Sequence, residues 1–444
     1  MLDPQRCKDI FEKVLKFSDA DETEALIGGG THALTRFANN AIHQNVAEEG
    51  YLLSVRTVYG RRTARATTNK FDDDAIRRVV AEAAAVTRQQ QPDPELLPMA
   101  APDTVKAVER FFPATAQMTP EARAAGVQQS VEVALRHAQT AAGFFASGTG
   151  LQAVLNSRGL FAYHQDTHSE FSVTMLDRNS SGWAKANAPD VGRIQVEELA
   201  LRASAKAALS ADPVELPPNR YTVILEPAAV LDLIGFMFYD FAGRAILDQR
   251  SFLTDRLGTQ LFGDNITITD DVYHPLQSGP PFDSEGVGRK PVALVEQGRI
   301  ANLVYSRQTA QLMGVEPTGH GFPLPNEMGE APMNIVLGGG HSAVEEMVAS
   351  TERGILVTRL WYIREVDPYQ KILTGMTRDG TFLVEDGKLR RGILNFRFNE
   401  SLIEMLSNVE MLGAAQRAAG EESFEMVVPA MKVRDFNFTE VTKF

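Results

Sequence analysis

The sequence contains one cysteine, Cys7, and only two tryptophans, and no apolar run approaches the roughly 20 residues of a membrane span. A single cysteine excludes an intramolecular disulfide framework and any metal site built from several thiolates. The opening residues, MLDPQRCKDIFEKVLKF, lack the apolar core of a signal peptide. We therefore expect a cytoplasmic protein.

Positive charge is also scarce. The chain has 44 Lys and Arg against 57 Asp and Glu, a formal net charge of −13. Such a balance disfavours binding to nucleic acids or anionic membranes, whose phosphates it repels. One local exception is a group of arginines in a predicted hairpin, which we interpret as a solvated hairpin tip. The group is Arg56, Arg61, Arg62 and Arg65.

The length of 444 residues and an apolar content of 44% allow two or three domains. Helical spacing predicts helices at 4–17, 73–90 and 195–209, and alternation predicts short strands near 23–28, 33–38, 41–47 and 51–58. We expect an α+β fold of two domains. Residues 1–211 would form an N-terminal mixed α/β domain, and 220–444 a mainly antiparallel β domain, a sheet or barrel with a buried helix. The proline-rich segment 212–219 is the predicted boundary.

The buried helix is predicted at 227–242, where the sequence is apolar almost all round. Pro227 suits the first helical position, and Gly243 suits the C-terminal cap. Asp232 and Asp240 are the only charges of this segment.

Several segments in order resemble the TldD/PmbA family. They are RFANNAIHQN (36–45), 51–76, SGTGLQAVLNSRGL (147–160), the block 226–286, TRDGTFLVEDGKL (377–389) and VPAMKVRDFNFT (428–439). In that family one subunit carries a metalloprotease helix with the motif HExxxH, and a cysteine near the C-terminus is the third zinc ligand. That subunit pairs with a homologous subunit that lacks the motif, called PmbA-like or TldE-like.

The residues here that match the motif's two histidines and its glutamate are Ile234, Gly235 and Tyr239, and no cysteine follows Cys7. None of these side chains can hold zinc or activate water as the family does. The resemblance therefore implies no catalytic residue and no cofactor in this chain, with zinc expected only in a catalytic partner. It implies a non-catalytic subunit of a metallopeptidase complex that processes unfolded peptides, paired with a TldD-like subunit as a heterodimer or with itself.

The segment PPFDSEGV contains a further candidate site. Asp283 and Glu285, beside Phe282, could bind a cation or the amino end of a peptide, or they could shape a turn. We treat these three as candidate peptide-groove or turn residues.

The histidines are weaker candidates. His164 and His168 have a metal-site spacing for a helix, but the local alternation predicts strand, which separates them by roughly 13 Å. A turn at Asp166 and Thr167 would bring them together, although a surface hairpin is favoured. His274, His320 and His341 adjoin proline or glycine in predicted loops, and Gly28-Gly29-Gly30 lacks the features of a phosphate loop.

Two alternatives stay open. One is a homodimer that binds peptides or another protein without hydrolysis. The other is an independent hydrolase with a relocated site around His164, His168 or His341. The family also has a historical association with DNA gyrase. This sequence has neither a helix-turn-helix pattern nor a basic face, so we expect no direct contact with nucleic acid.

Overall fold

The computed structural model describes residues 2–442. Within them the α-helices are α1 (Pro4–Phe17), α2 (Asp73–Gln89), α3 (Pro113–Ala116), α4 (Pro120–Arg136), α5 (Val196–Leu209), α6 (Pro227–Ile234), α7 (Gly243–Leu247), α8 (Arg307–Met313), α9 (Val344–Ala349) and α10 (Leu402–Ser407). Short 3₁₀ helices span Val191–Arg193 and Gly235–Phe241. No helix in this part of the chain combines the length and apolarity that a membrane span requires.

The strands of the first half are β1 (Glu22–Ala38), β2 (Ala41–Tyr59), β3 (Arg62–Thr68), β4 (Thr140–Asn156), β5 (Phe161–Leu176) and β6 (Ser181–Ala188). Those of the second half are β7 (Arg220–Leu225), β8 (Ile268–Asp270), β9 (Val292–Glu296), β10 (Arg299–Ile300), β11 (Ile335–Leu337), β12 (Arg353–Asp367), β13 (Ile372–Glu385), β14 (Lys388–Gly392), β15 (Phe396–Ser401), β16 (Val409–Leu412), β17 (Gln416–Ala418), β18 (Met426–Val428) and β19 (Met431–Val441).

The first half is an antiparallel sheet in the order β3-β2-β1-β4-β5-β6. Alternate side chains of a strand point to opposite faces. On one face, odd-numbered residues such as Ile27 and Ala153 pack against α1 and α2, and Phe145 and Phe171 pack against α4 and α5. All four long helices therefore cover one face of this sheet.

The opposite face of the first sheet meets the second half of the chain. Even-numbered residues Val154 and Ala162 share a small apolar cluster with Phe282, which belongs to the acidic turn predicted as a candidate site. The turn thus lies where the two halves meet.

The second half is built around a closed ring of five strands. β12 pairs with β7, β7 with β19, β19 with β15, β15 with β13, and β13 returns to β12. Aromatic side chains fill it, with Phe396 and Phe438 centred 4.9 Å apart and Phe436 and Phe438 5.1 Å apart. The predicted mainly antiparallel β half is confirmed, and it is a barrel.

A smaller sheet, in the order β10-β9-β8-β11-β18-β17, lies beside the barrel. One apolar cluster joins both sheets to α6, whose residues Val230, Leu233 and Ile234 are fully buried. The prediction of a buried helix in this half is confirmed.

The predicted short strands of the first half are wrong in their lengths. Segments 23–28 and 33–38 belong to one strand, β1, and 41–47 and 51–58 belong to β2. The glycines between these segments lie within the strands, where Gly30 pairs with Gly50 on one side and with Gly150 on the other. The absence of a side chain at Gly30 lets the backbone of Thr149 approach closely.

The helix predicted at 227–242 is also shorter than expected. It ends at Ile234, the following residues tighten into a 3₁₀ helix, and Gly243 begins α7 instead of capping the first helix. Glycine and aromatic residues favour an α-helix less than leucine or alanine do, and Gly235 is followed by Phe236, Phe238 and Phe241.

We propose that the chain divides into domains at the predicted boundary, 212–219. This segment follows α5 and precedes β7, which is part of the barrel. It is held to the second half, since the Val214 N–H donates to the carbonyl of Gly392 at 3.2 Å.

The glycine row of the first sheet gives a stability test. A Cβ atom at Gly30 would lie 1.8 Å from the backbone oxygen of Thr149, whereas one at its partner Gly50 would meet nothing within 4 Å. We expect Gly30→Ala to destabilise the chain by about 2 kcal/mol or more, because the clash is with backbone, and Gly50→Ala to change stability by less than about 0.5 kcal/mol. Thermal unfolding of both variants checks this, and equal midpoints would contradict it.

Candidate functional site

The segment that matches the metalloprotease helix spans the end of α6 and the 3₁₀ helix after it. Ile234 is fully buried in the core of the second half. Tyr239 is partly exposed, and its hydroxyl lies 3.4 Å from the carbonyl oxygen of Met328. An aliphatic side chain, a glycine and a phenol do not form a zinc site of the kind that histidine and carboxylate build.

A loop near the C-terminus closes over this segment. The carboxylate of Asp232 accepts hydrogen bonds from the backbone N–H groups of Glu421, Glu422 and Ser423, at 2.9 to 3.1 Å. Burial raises the pKa of Asp232 to about 6, against the effect of these N–H groups. The one acid that α6 contributes is therefore used to hold the loop.

The loop leaves no room for a longer side chain at Gly235. A Cβ atom there would lie 1.9 Å from Ser423 Oγ and 2.6 Å from Ser423 Cβ. Phe424 packs edge-on against Phe238 with ring centres 6.3 Å apart. Position 235, where the family's protease places its general base, is therefore filled by neighbouring chain.

The chain's cysteine is distant from this segment in the fold. Cys7 is buried in the cluster between α1 and the first sheet, and burial raises the pKa of its thiol to about 11. Within residues 2–442 no group of three or more His, Cys, Asp or Glu side chains is arranged to hold a metal ion.

The predicted acidic turn is a buried, internally bonded structure. Asp283 Oδ1 accepts hydrogen bonds from the N–H groups of Glu285, at 2.9 Å, and Val287, at 3.0 Å. Asp283 Oδ2 accepts one from Gly321 N–H at 2.8 Å. Burial raises the pKa of Asp283 to about 7, and the negative charge of the nearby Glu285 contributes to that rise. Asp283 therefore shapes the turn, while a role in binding stays a prediction.

Glu285 links the turn to the first half of the chain. It is 4% exposed and forms an ion pair with Arg307 at 3.1 Å. Arg307 also donates to the carbonyl of Pro98 at 2.8 Å. Burial raises the pKa of Glu285, and Arg307 opposes that rise.

A second ion network crosses the first sheet. Glu24 on β1 pairs with Arg56 on β2 at 2.8 Å and with Arg65 on β3 at 2.5 Å. Arg65 Nε donates to the carbonyl of Leu324 in the second half at 2.7 Å. The interpretation of these arginines as a solvated hairpin tip is wrong for Arg56 and Arg65, which face the other half, and fits only the exposed Arg61 and Arg62.

Next to the turn lies a cleft of about 490 Å³ between the two halves. Its charged lining residues are five carboxylates and two arginines, namely Asp93, Glu95, Asp248, Glu285, Glu327, Arg244 and Arg250. Both arginines are paired with Asp248, at 3.1 and 2.6 Å. The excess of negative charge suits a cationic or amino group better than an anion.

The histidines do not assemble into a metal site. His164 and His168 lie on the continuous strand β5, as the alternation predicts, so the alternative of a turn at Asp166 and Thr167 is wrong. The favoured surface hairpin is wrong for His164, which is buried. Their side chains instead contact separate neighbours: His168 stacks on His32 with ring centres 5.8 Å apart. His274 and His341 lie in loops, as predicted. His274 accepts a hydrogen bond from the Leu276 N–H, and His341 is exposed.

His320 was also a loop candidate, and it is buried. Its Nε2 lies 3.0 Å from Asp270 Oδ1, and both side chains are at most 1% exposed. This pair is enclosed in the second half rather than open to a substrate.

Sequence reasoning missed Glu24, Arg307 and Arg110 as members of polar networks between the halves. None of them belongs to a recognisable sequence motif. Only the strand register, which aligns Glu24 with Arg56 and Arg56 with Arg65, would have indicated the first network.

Two family models of metallopeptidase domains match the chain. Residues 218–440 match the family domain described as the PmbA/TldA metallopeptidase C-terminal domain, and residues 24–87 match its domain 1. The chain belongs to the TldD/PmbA family.

Among its relatives, the Escherichia coli O157:H7 protein named metalloprotease PmbA is 25% identical over 402 residues, which cover 86% of this chain and 85% of that protein. A Haemophilus influenzae metalloprotease TldD homologue is 24% identical over 210 residues, 43% of this chain and 42% of that protein. The crystal structure of TldE from Thermococcus kodakarensis superposes with a TM-score of 0.88 at 19% identity, covering 98% of this chain and all of that one.

The closed loop over position 235 gives a direct test. Because a methyl group there would clash with Ser423, we expect Gly235→Ala to displace the loop at 420–424 and to raise its rate of cleavage in limited proteolysis. Gly235→Ala combined with Ser423→Gly, which removes the clashing side chain, should restore much of the protection. Unchanged cleavage in the single variant would contradict the packing described for this loop.

The raised pKa of Asp283 predicts a pH dependence. The folded chain binds this proton more tightly than the unfolded chain, in which the aspartate has its ordinary pKa of 3.8. The free energy of unfolding therefore falls as the pH rises from about 4 to about 7. Asp283→Asn cannot ionise, and its stability relative to the unmodified chain should rise across that window by on the order of 2 kcal/mol or more. Chemical unfolding at several pH values measures it. Glu316→Gln, at an exposed carboxylate, is the control, and a difference independent of pH would refute the assignment.

Proposed function

We propose that this chain is the non-catalytic subunit of a TldD-type metallopeptidase complex that processes unfolded peptides in the cytoplasm. Its partner would be a homologous TldD-like subunit that carries HExxxH and the zinc ion. Relatives bearing both names, PmbA and TldD, support membership of a family with two kinds of subunit.

One observation carries the proposal. The segment that should hold a metal offers Ile234, Gly235 and Tyr239, and the loop at Ser423 occupies the space at position 235. Substituting the side chains alone would not open a site, because the covering loop is anchored on Asp232 by backbone hydrogen bonds.

The rest of the molecule supports a role in holding peptides. The cleft between the halves is large enough to bind a few residues, and its negative lining suits an amino terminus or a basic side chain. Outer strands of the first sheet present backbone groups to which an extended peptide can add. The chain would supply one wall of a shared chamber, while the partner supplies the reaction.

Reconstitution tests the proposal. The isolated chain should bind no stoichiometric zinc and cleave no unfolded peptide. After co-expression with a HExxxH-bearing TldD-like homologue, the two should co-purify and cleave casein-derived peptides in a reaction that chelators abolish. Replacing the glutamate of the homologue's HExxxH motif by glutamine should remove activity without removing association.

Two outcomes would overturn it. A chain that always purifies as a homodimer, and that leaves the homologue's activity unchanged, favours the binding-module alternative. Chelator-sensitive cleavage by the isolated chain, with stoichiometric zinc, favours an independent hydrolase.

A further inference from the structure

Strand β5 has an edge that is only partly covered. It pairs with β4 from Phe161 to Leu176, but with β6 only from Ser169 onward. Within residues 2–442, the remaining edge is met by one isolated bridge, between Arg110 and Asp166, where Thr167 N–H donates to the carbonyl of Arg110 at 3.0 Å. The edge from Phe161 to Gln165 lacks a partner strand.

The direction of the free backbone groups follows from that bridge. The N–H of Thr167 points away from β4, and alternation along a strand makes the N–H and carbonyl groups of Gln165, Tyr163 and Phe161 point the same way. The Gln165 carbonyl takes part in the bridge to Arg110, whereas in the described part of the chain no backbone hydrogen bond from a loop or turn reaches the Gln165 N–H or the backbone groups of Tyr163 and Phe161. Unpaired groups on a strand edge are a template for an added strand.

A groove of about 430 Å³ runs along this edge. Residues 103–111 form one wall, residues 161–165 form the other, and Pro281 and Phe282 complete the lining. Five residues of strand measure roughly 16 Å at about 3.3 Å each, so the groove matches a short extended peptide. Phe282, a candidate groove residue from the sequence, thus lines a groove, although a different one from the cleft at Glu285.

The end of the groove at the bridge carries Arg110, while Asp103 and Glu109 are the carboxylates of the groove lining. Arg110 donates to the carbonyls of Val272, at 3.4 Å, and His274, at 3.0 Å, and no ion pair joins it to a carboxylate within residues 2–442. Its Nε has no hydrogen-bond partner. Burial and the nearby Arg193 lower the pKa of Arg110, which indicates a second cation close by.

His164 lies at the same end. It is 7% exposed, it lines the groove, and its Nε2 has no hydrogen-bond partner within the described residues. Asp166, whose Oδ2 is 3.8 Å from that nitrogen, has its side chain over Gly150. A partly buried cation and an imidazole nitrogen without a partner, beside open strand groups, fit one ligand, a chain end that carries a carboxylate.

We propose that this groove binds the C-terminal end of an extended peptide. The peptide backbone adds to Phe161–Gln165 as a strand, and its terminal carboxylate accepts hydrogen bonds from Arg110 and His164. Because Arg110 lies beside Asp166, beyond Gln165, the peptide runs parallel to β5. The inference rests on the proposed function, and it assigns to this subunit the capture of peptide ends.

The first test needs no variant. Binding of the isolated chain to fluorescein-Gly-Val-Thr-Val-Thr-Val is measured by anisotropy, with a free carboxylate and with a C-terminal amide. We expect the amide to bind weaker by on the order of tenfold or more, as for loss of a charged hydrogen bond. Methylation of single peptide nitrogens should weaken binding at alternate positions only, because every second N–H of an added strand faces β5.

Variants locate the site. Arg110→Gln should weaken binding of the free-acid peptide and reduce the difference in affinity between the acid and the amide to less than about twofold. General damage to the fold would not produce this coupling. Gln165→Pro removes one outward N–H at an edge position and should weaken binding, while Gln165→Ala keeps that N–H and should bind like the unmodified chain. Thermal unfolding confirms that each variant is folded.

Equal affinity for acid and amide, or no alternation in the methylation series, would overturn the proposal. The proposal would also be overturned if Arg110→Gln bound the peptide with unchanged affinity and kept the preference for the free acid. These assays use the isolated chain. A complex that cleaves peptides while the isolated chain shows no acid preference would refute the groove and leave the proposed function standing.

Discussion

A carboxylate that is 1% exposed, Glu24, lies between two arginines on neighbouring strands, and one of these, Arg65, reaches the backbone of the other half at Leu324. Removing one partner of a buried ion pair costs about 3–5 kcal/mol, because the remaining charge is left without compensation. The three charges lie within the first sheet, and the hydrogen bond from Arg65 to the Leu324 carbonyl ties this network to the second half. The acidic turn, the cleft at Glu285 and the groove at Phe282 all lie along that contact, so their shapes depend on it.

The second half is organised around a different constraint, the closure of the C-terminal loop over α6. Three backbone N–H groups converge on the carboxylate of Asp232, and the absence of a side chain at Gly235 lets Ser423 approach. The same segment that could present ligands on an open helix is here an interior surface. This packing explains why the helix gives way to a 3₁₀ turn at the glycine, where both the low helix propensity and the close contact act together.

The sequence predicted elements whose signals are local. The helices predicted at 4–17, 73–90 and 195–209 are all present, with ends within one residue of those predicted. Predictions from the sequence failed where contacts between strands that are distant in the chain determine the structure. The alternation predicts separate strands at 23–28 and 33–38, but Gly29 and Gly30 between them continue one strand, where the backbones of β2 and β4 approach them closely. Arg56 is buried and Arg65 is partly buried, because both pair with Glu24, which lies 32 residues from Arg56 in the chain. For the candidate site, the sequence alone shows that positions 234, 235 and 239 carry no zinc ligands. The covering loop and the groove along β5 follow only from tertiary structure.

The contact between Gly235 and Ser423 also bears on how such a subunit could change over evolutionary time. A single substitution that introduced a glutamate at position 235 would meet the loop before it could meet a metal ion. A metal site at this position would require the loop at 420–424 to be rebuilt at the same time as ligands appear in 234–239. Two segments that are far apart in the sequence would have to change together, and no single substitution achieves this.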